Sequence, residues 1–222
     1  MSLTPYYEHG GITIYHGDCR EVLPDVWFGV DLLLADPPYG VSEACNRKER
    51  GRGKLAECNN FPDVYDDDKP FNPSHLLVIP RVVLFGGNHF ADKLPPTPSW
   101  IVWDKRDGIP SNDNADCELA WTNLGGPARV FRHVWNGMIK ASERDQRRVH
   151  PTQKPVALMR WIIQKHTQPG ALVLDPYMGS GPVLVAAKET DRRAIGIEIE
   201  ERYCEIAAKR LQQEVLPLEA AV

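Results

Sequence analysis

This sequence predicts an α/β protein built on a mostly parallel, doubly wound sheet. Three observations carry the prediction. Short apolar runs that each close on an acid beside a turn signal recur at residues 31–36, 171–175 and 194–198. Patterns of helical period lie between them, and a glycine turn, Gly179-Ser180-Gly181, joins one such run to one such pattern. Short continuous apolar runs are what strands buried on both faces look like, and their alternation with helices implies a parallel sheet covered on each side.

The elements follow in order. Ile12-Thr13-Ile14-Tyr15 reads as a strand, and Asp18 can cap a helix over 19–23. Residues 31–36 form the first buried strand, 81–85 and 100–103 two more, and 117–121 alternates like a half-exposed one. Residues 155–165 place Val156, Leu158, Met159, Ile162 and Ile163 on one helical face behind a proline suited to a first turn. Helices over 182–188 and 200–213 complete the set. Two polar stretches, 41–73 and 125–150, interrupt the pattern. Loops this long in a compact domain are usually functional or disordered.

Composition narrows the class. Forty-two per cent apolar and 25% charged residues exclude wholesale disorder and fibrous repeats. Five cysteines without a C-x-x-C pair make neither a disulfide framework nor a zinc site and point to a reducing compartment. No basic-then-apolar stretch opens the chain and no apolar run reaches about 20 residues, so a cytoplasmic protein with no membrane partner is expected.

Three sites carry chemistry. Asp36-Pro37-Pro38-Tyr39-Gly40 stands where a buried strand ends, the edge at which open α/β sheets bind ligands. The prolines remove two donors and hold the chain extended. A carboxylate, the Pro37 carbonyl and a flat ring then suit a planar group with an exocyclic NH₂. Accepting both amine hydrogens would also make a poor nucleophile better. Taken alone, Asp36-Pro37-Pro38 is an equally good turn. At the second site, Gly179 and Gly181 allow a sharp turn and close approach before a helix opened by Pro182. Nineteen residues beyond Gly179, Glu198 closes the next strand, where an acid commonly holds ribose hydroxyls. A nucleoside-type cofactor fits, although the third glycine of the dinucleotide fingerprint is missing. Third, Lys154 in His150-Pro151-Thr152-Gln153-Lys154-Pro155 opens a helix, where a cation meets the positive end of the dipole and needs an anionic partner. A carboxylate on the bound cofactor would serve; a solvent-facing lysine is the plain alternative.

Together these motifs resemble the amino-group DNA methyltransferases that use S-adenosylmethionine, in the circularly permuted β order with the catalytic motif ahead of the glycine turn. The likeness also covers His16-Gly17-Asp18-Cys19, Phe85-Gly86-Gly87-Asn88-His89-Phe90, Trp103-Asp104-Lys105, Glu118-Leu119-Ala120-Trp121 and Gly196-Ile197-Glu198-Ile199. It implies a class I (Rossmann-like) methyltransferase fold of seven mostly parallel strands with three helices on each side. One catalytic domain would span 1–222, with a loop insertion at about 41–73 and a small target-recognition region at about 123–149. It assigns Asp36, Pro37, Pro38 and Tyr39 to the base and Asp18, Cys19, Lys154, Asp175, Tyr177, Gly179, Ser180, Gly181 and Glu198 to S-adenosylmethionine, with Asp18 accepting from the cofactor's adenine. No metal is implied. The setting implied is bacterial or phage restriction–modification; the assembly state stays open, a homodimer included.

The net charge of −4 speaks against a polyanionic partner only on average, because screening at physiological salt acts over about 8 Å. Arg47, Lys48, Arg50, Arg52 and Lys54 face one acid in 47–54, and Arg129, Arg132, Lys140, Arg144, Arg147 and Arg148 face two in 129–148. Both stretches are expected on DNA. Aspartate at position 36 resembles the adenine-N6 enzymes more than the cytosine-N4 ones, which more often carry serine. A nicotinamide-dependent oxidoreductase would share the sheet but leave the 36–39 motif unexplained. One departure from the family is Pro182-Val183 after Gly181, which removes a hydroxyl and a backbone donor from the turn.

Overall fold

A computed structural model describes residues 3–40, 65–110, 115–136, 139–144, 149–150 and 152–212. Eleven strands and four α-helices lie among them: β1 (Tyr7–His9), β2 (Ile12–His16), α1 (Cys19–Val26), β3 (Leu32–Ala35), β4 (Val82–Phe85), β5 (Trp100–Asp104), β6 (Cys117–Thr122), β7 (Arg129–Arg132), β8 (Trp135–Asn136), β9 (Ile139–Lys140), α2 (Val156–His166), β10 (Leu172–Asp175), α3 (Pro182–Lys188), β11 (Arg193–Glu198) and α4 (Glu201–Gln212).

Nine strands form one sheet in the order β1-β2-β11-β10-β3-β4-β6-β5-β7, and β8 pairs with β9 apart from it. The stretch β2-β11-β10-β3-β4 is parallel throughout, with Asp175 level with Gly196 and Leu174 with Leu33. β6 runs antiparallel to both neighbours, and β7 is parallel to β5. The expected seven-stranded sheet is therefore the stretch from β2 to β5, extended by an antiparallel hairpin strand at one edge and by β7 at the other. Both additions escaped the sequence because they are edge strands: Tyr7–His9 and Arg129–Arg132 are largely exposed and polar, without the apolar run that marks a buried strand.

Side chains of β3 alternate between the two faces. Leu32 and Leu34 join the core made with α2, α3 and α4, while Leu33 and Ala35 join the core made with α1. Among the described residues three α-helices, α2, α3 and α4, cover one face and α1 the other. On the α1 side the cover is completed by Phe71, Leu76, Ile79, Phe90 and Leu94 from short 3₁₀ turns and their flanks. Each fully buried leucine here contributes roughly 1.5–3 kcal/mol. Among the described residues, no helix is long and apolar enough to cross a membrane.

Candidate active site

Parallel strands place all their carboxyl ends on one edge, and this edge holds the site. Asp18, Glu198, Asp175 and Asp36 end or follow β2, β11, β10 and β3, four neighbours in the sheet. β6 is reversed, so its first residues reach the same edge: Glu118 lies level with Trp103 at the end of β5. A cavity of about 260 Å³ opens there. Its wall includes Asp36, Pro37, Pro38 and Tyr39 together with Asp18, Cys19, Tyr177, Gly179 and Glu198. The two halves expected from the sequence thus share one cavity, which Lys154 and Glu118 also line.

The Asp36 half is a charge network built around the buried Lys154, its other members half-buried. The Tyr39 hydroxyl donates to Asp36 Oδ1 at 2.5 Å and the Lys154 ammonium donates to Oδ2 at 2.5 Å. Lys154 Nζ also lies 3.1 Å from Glu118 Oε2, and Lys105 donates to Glu118 Oε1 at 2.9 Å. Two acids and two lysines balance, as burial of charge requires. Burial pushes the Asp36 carboxyl above its ordinary value, opposed by Lys154. Burial alone would lower the Lys154 ammonium, but Asp36 and Glu118 together hold it well above its usual range. Glu118 is likewise pushed up by burial, and Lys154 and Lys105 overcome that, bringing it to about 2.

In the structure the anionic partners of Lys154 are the protein's own Asp36 and Glu118. The frustrated cation at a helix start was legible; the acids that answer it sit on distant strands.

The turn between β10 and α3 is tied from both sides. Glu198 Oε2 accepts from the Gly179 N–H at 2.9 Å and Oε1 from the Glu200 N–H at 2.8 Å; Asp175 Oδ1 accepts from the Tyr177 N–H at 3.1 Å. Gly179 and Gly181 have φ of +49° and +76°. A Cβ on Gly181 would come within 3.0 Å of Ala207, so glycine lets the turn pass close to α4. Ser180 is buried and its carbonyl accepts from Arg210 at 2.7 Å. Asp175, Ser180 and Gly181 therefore shape the turn from behind, while Gly179, Tyr177 and Glu198 face the cavity. Asp18 caps α1 by accepting from the Arg20 N–H at 2.8 Å and still lines the wall. Burial pushes the Cys19 thiol up to about 11, so it is no nucleophile at neutral pH.

Several residues of the site carried no role in the sequence. Asp67 Oδ1 accepts from both the Tyr39 and Gly40 N–H groups at 2.9 Å, fixing the 36–40 corner. His89 stacks on the Tyr39 ring at 5.0 Å. Glu118 and Lys105 sat in recognised motifs, but only the strand pairing reveals their partner. Of the basic residues expected on DNA, Arg129 is exposed, Arg132 lies 3.7 Å from Asp104, the Lys140 ammonium is over the Trp135 ring, and Arg144 donates to the Lys140 carbonyl. Arg47, Lys48, Arg50, Arg52, Lys54, Arg147 and Arg148 lie outside the described residues.

Known proteins resemble this chain in sequence and fold. Residues 126–209 match the family model described as DNA methylase (N6_N4_Mtase). The type II methyltransferase M2.DpnII of Streptococcus pneumoniae is 25% identical, over 95% of this chain and 93% of its own length. The M1.HpyAVI–SAM complex superposes with a TM-score of 0.56 at 28% identity, covering 90% of this chain and 99% of that one. The PvuII DNA methyltransferase, cytosine-N4-specific, shares the fold with a TM-score of 0.59 at 16% identity, over 96% of this chain and 90% of that one. The acceptor set of Glu198 and Asp18 and the close-passing glycine turn suit the hydroxyls and amine of a nucleoside cofactor. With the 36–39 corner and the 175–181 turn on one cavity and relatives aligned nearly end to end, the chain is similar to the amino-group DNA methyltransferases.

Proposed function

We propose that the enzyme methylates the exocyclic N6 amine of adenine in DNA, on a base extruded into the cavity beside Asp36. The observation that carries this reading is the shared wall: the acceptor corner at 36–39 and the cofactor turn at 175–181 open on the same 260 Å³ space. A duplex hides the amine, so the nucleotide must be flipped at a cost of a few kcal/mol. Asp36 and the Pro37 carbonyl accept the two amine hydrogens, and the Tyr39 ring, which lines the cavity, receives the base, a stacking contact that contributes about 1–3 kcal/mol. S-adenosylmethionine supplies an electrophilic methyl on a sulfonium. The protein's part is to hold the amine in line with it and to push electron density onto nitrogen through the two acceptors. The amine lone pair would take the methyl carbon as its bond to sulfur breaks and a neutral thioether leaves, and the surplus amine proton would pass through Asp36 to solvent, so no cysteine nucleophile is needed.

Lysine and arginine in 47–54 and 129–148 supply phosphate contacts in this reading, and 123–149 is the target-recognition region of a single catalytic domain. The cellular setting is the cytoplasm of a bacterium or of a phage-infected one.

The test is to sequence modified bases in DNA from cells expressing the chain, then to digest that DNA and identify the modified nucleoside by mass. N6-methyladenine is expected, at one short target. N4-methylcytosine would replace this reading with the cytosine one, which the Asp36 corner accommodates chemically. Asp36→Ala is expected to abolish transfer while cofactor affinity is largely kept.

A further inference from the structure

We propose that Lys154 reads the target base: its ammonium donates to the ring nitrogen next to the amine, so the site selects an amidine edge and not merely an NH₂ group. This rests on Asp36 being the acceptor of the target amine. In adenine and in cytosine the amine and an unprotonated ring nitrogen are bonded to the same carbon, so the edge presents a donor beside an acceptor. Its complement is an acceptor beside a donor. The cavity wall holds that pair ready, with Lys154 Nζ 2.5 Å from Asp36 Oδ2.

Both partners have capacity left. An ammonium has three donors. One goes to Asp36 and one faces Glu118 at 3.1 Å, while the contact with the Tyr39 hydroxyl is a loose 3.4 Å. A carboxylate offers about four lone-pair sites, and Tyr39 and Lys154 occupy one on each oxygen of Asp36. The base therefore binds by replacing only the long contact between Lys154 and the Tyr39 hydroxyl.

Lys154 is also enclosed and tethered. Its side chain is 6% exposed and its ammonium is held from behind by Glu118, itself anchored by Lys105. Glu118 is thus a positioning residue for Lys154. Donation to the ring nitrogen draws electron density away from the amine, opposite to the effect of Asp36 and Pro37. The contribution of Lys154 is accordingly to binding and base choice, and it appears in KM more than in kcat.

The experiment uses oligonucleotides that carry the target sequence with either adenine or 1-deazaadenine at the methylated position. The analogue keeps the amine and replaces the ring nitrogen by C–H. For the wild-type enzyme, kcat/KM is expected to fall about tenfold or more on the analogue, chiefly through KM. Lys154→Met is expected to methylate both substrates at similar, reduced kcat/KM, and Lys154→Arg to restore part of the preference. Equal wild-type rates on the two substrates would overturn the proposal, and that arm needs no variant to fold. The same ratio in wild type and Lys154→Met would overturn it too, because the discrimination would then be intrinsic to the analogue. The N6 reading is scored separately, by the nucleoside formed on unmodified DNA. Should that be N4-methylcytosine, cytosine against 3-deazacytosine decides the role of Lys154 by the same ratio.

Discussion

Gly86 lies against the ring of Tyr39 so closely that a Cβ at position 86 would stand 2.0 Å from the ring's Cε1. The same glycine has φ +69°, a region that costs other residues roughly 1–2 kcal/mol. Gly86→Ala must therefore move Tyr39, and with it the hydroxyl that donates to Asp36 Oδ1. A displacement of about 1 Å at a reacting centre costs on the order of a hundredfold in rate. We predict that loss in kcat for Gly86→Ala, with S-adenosylmethionine affinity unchanged by calorimetry, because the glycine turn at 179–181 is untouched.

Glu118 sets a pH signature. Its carboxyl is brought to about 2 against an ordinary 4.5, so its ionised form is favoured by folding. The resulting stability is fully present above about 4.5 and is lost as pH falls toward about 2. Asp36, Asp175 and Glu198 are pushed the other way by burial and gain stability as pH falls. The difference between wild type and Glu118→Gln reports this group together with its effect on Asp36. It is expected to shrink by on the order of 2–3 kcal/mol between pH 5 and pH 2, measured by denaturant unfolding across that range.

The strands that carry the chemistry were legible because burial on both faces leaves a local mark. β3, β10 and β11 are apolar runs that close on Asp36, Asp175 and Glu198, and an acid after such a run has no packing reason to be there. The pairing of those acids with other parts of the chain was not legible. Lys154 signalled a missing anion, but Glu118 reaches it only because β6 is reversed in the sheet, a property of topology and not of any window of sequence. Asp67 sits in Asp66-Asp67-Asp68, three acids alike in sequence, of which only one is buried beneath Tyr39. β7, β8 and β9 fall in a polar, basic stretch whose charge masks its strand character.

Asp67→Ala is expected to loosen the catalytic corner. It leaves the Tyr39 and Gly40 N–H groups without their shared acceptor, and an unpaired part-buried donor costs about 1–3 kcal/mol. Stability is predicted to fall by that amount and kcat by about tenfold. Asp67→Asn keeps an acceptor oxygen at the same place and is expected to recover most of both. Equal losses in the two variants would mean that the charge of Asp67, and not its hydrogen bonds to the corner, is what matters.

Glu198 ties the 175–181 turn to the end of β11, and in the proposed role its replacement is expected to separate cofactor binding from chemistry. One oxygen holds the Gly179 N–H and the other the Glu200 N–H, so the carboxylate is held by the backbone on both oxygens and lines the cavity. Glu198→Gln retains one acceptor, loses the charge that strengthens hydroxyl donors, and puts an amide where a backbone N–H must find an acceptor. Hydrogen bonds to a charged group contribute about 1.5–3 kcal/mol, so the Kd for S-adenosylmethionine is predicted to rise at least about tenfold by calorimetry. Because the Asp36 corner belongs to β3 and its contacts are independent of Glu198, kcat at saturating cofactor is predicted to stay close to wild type. A large fall in kcat with unchanged Kd would reassign Glu198 from the cofactor to the reacting centre.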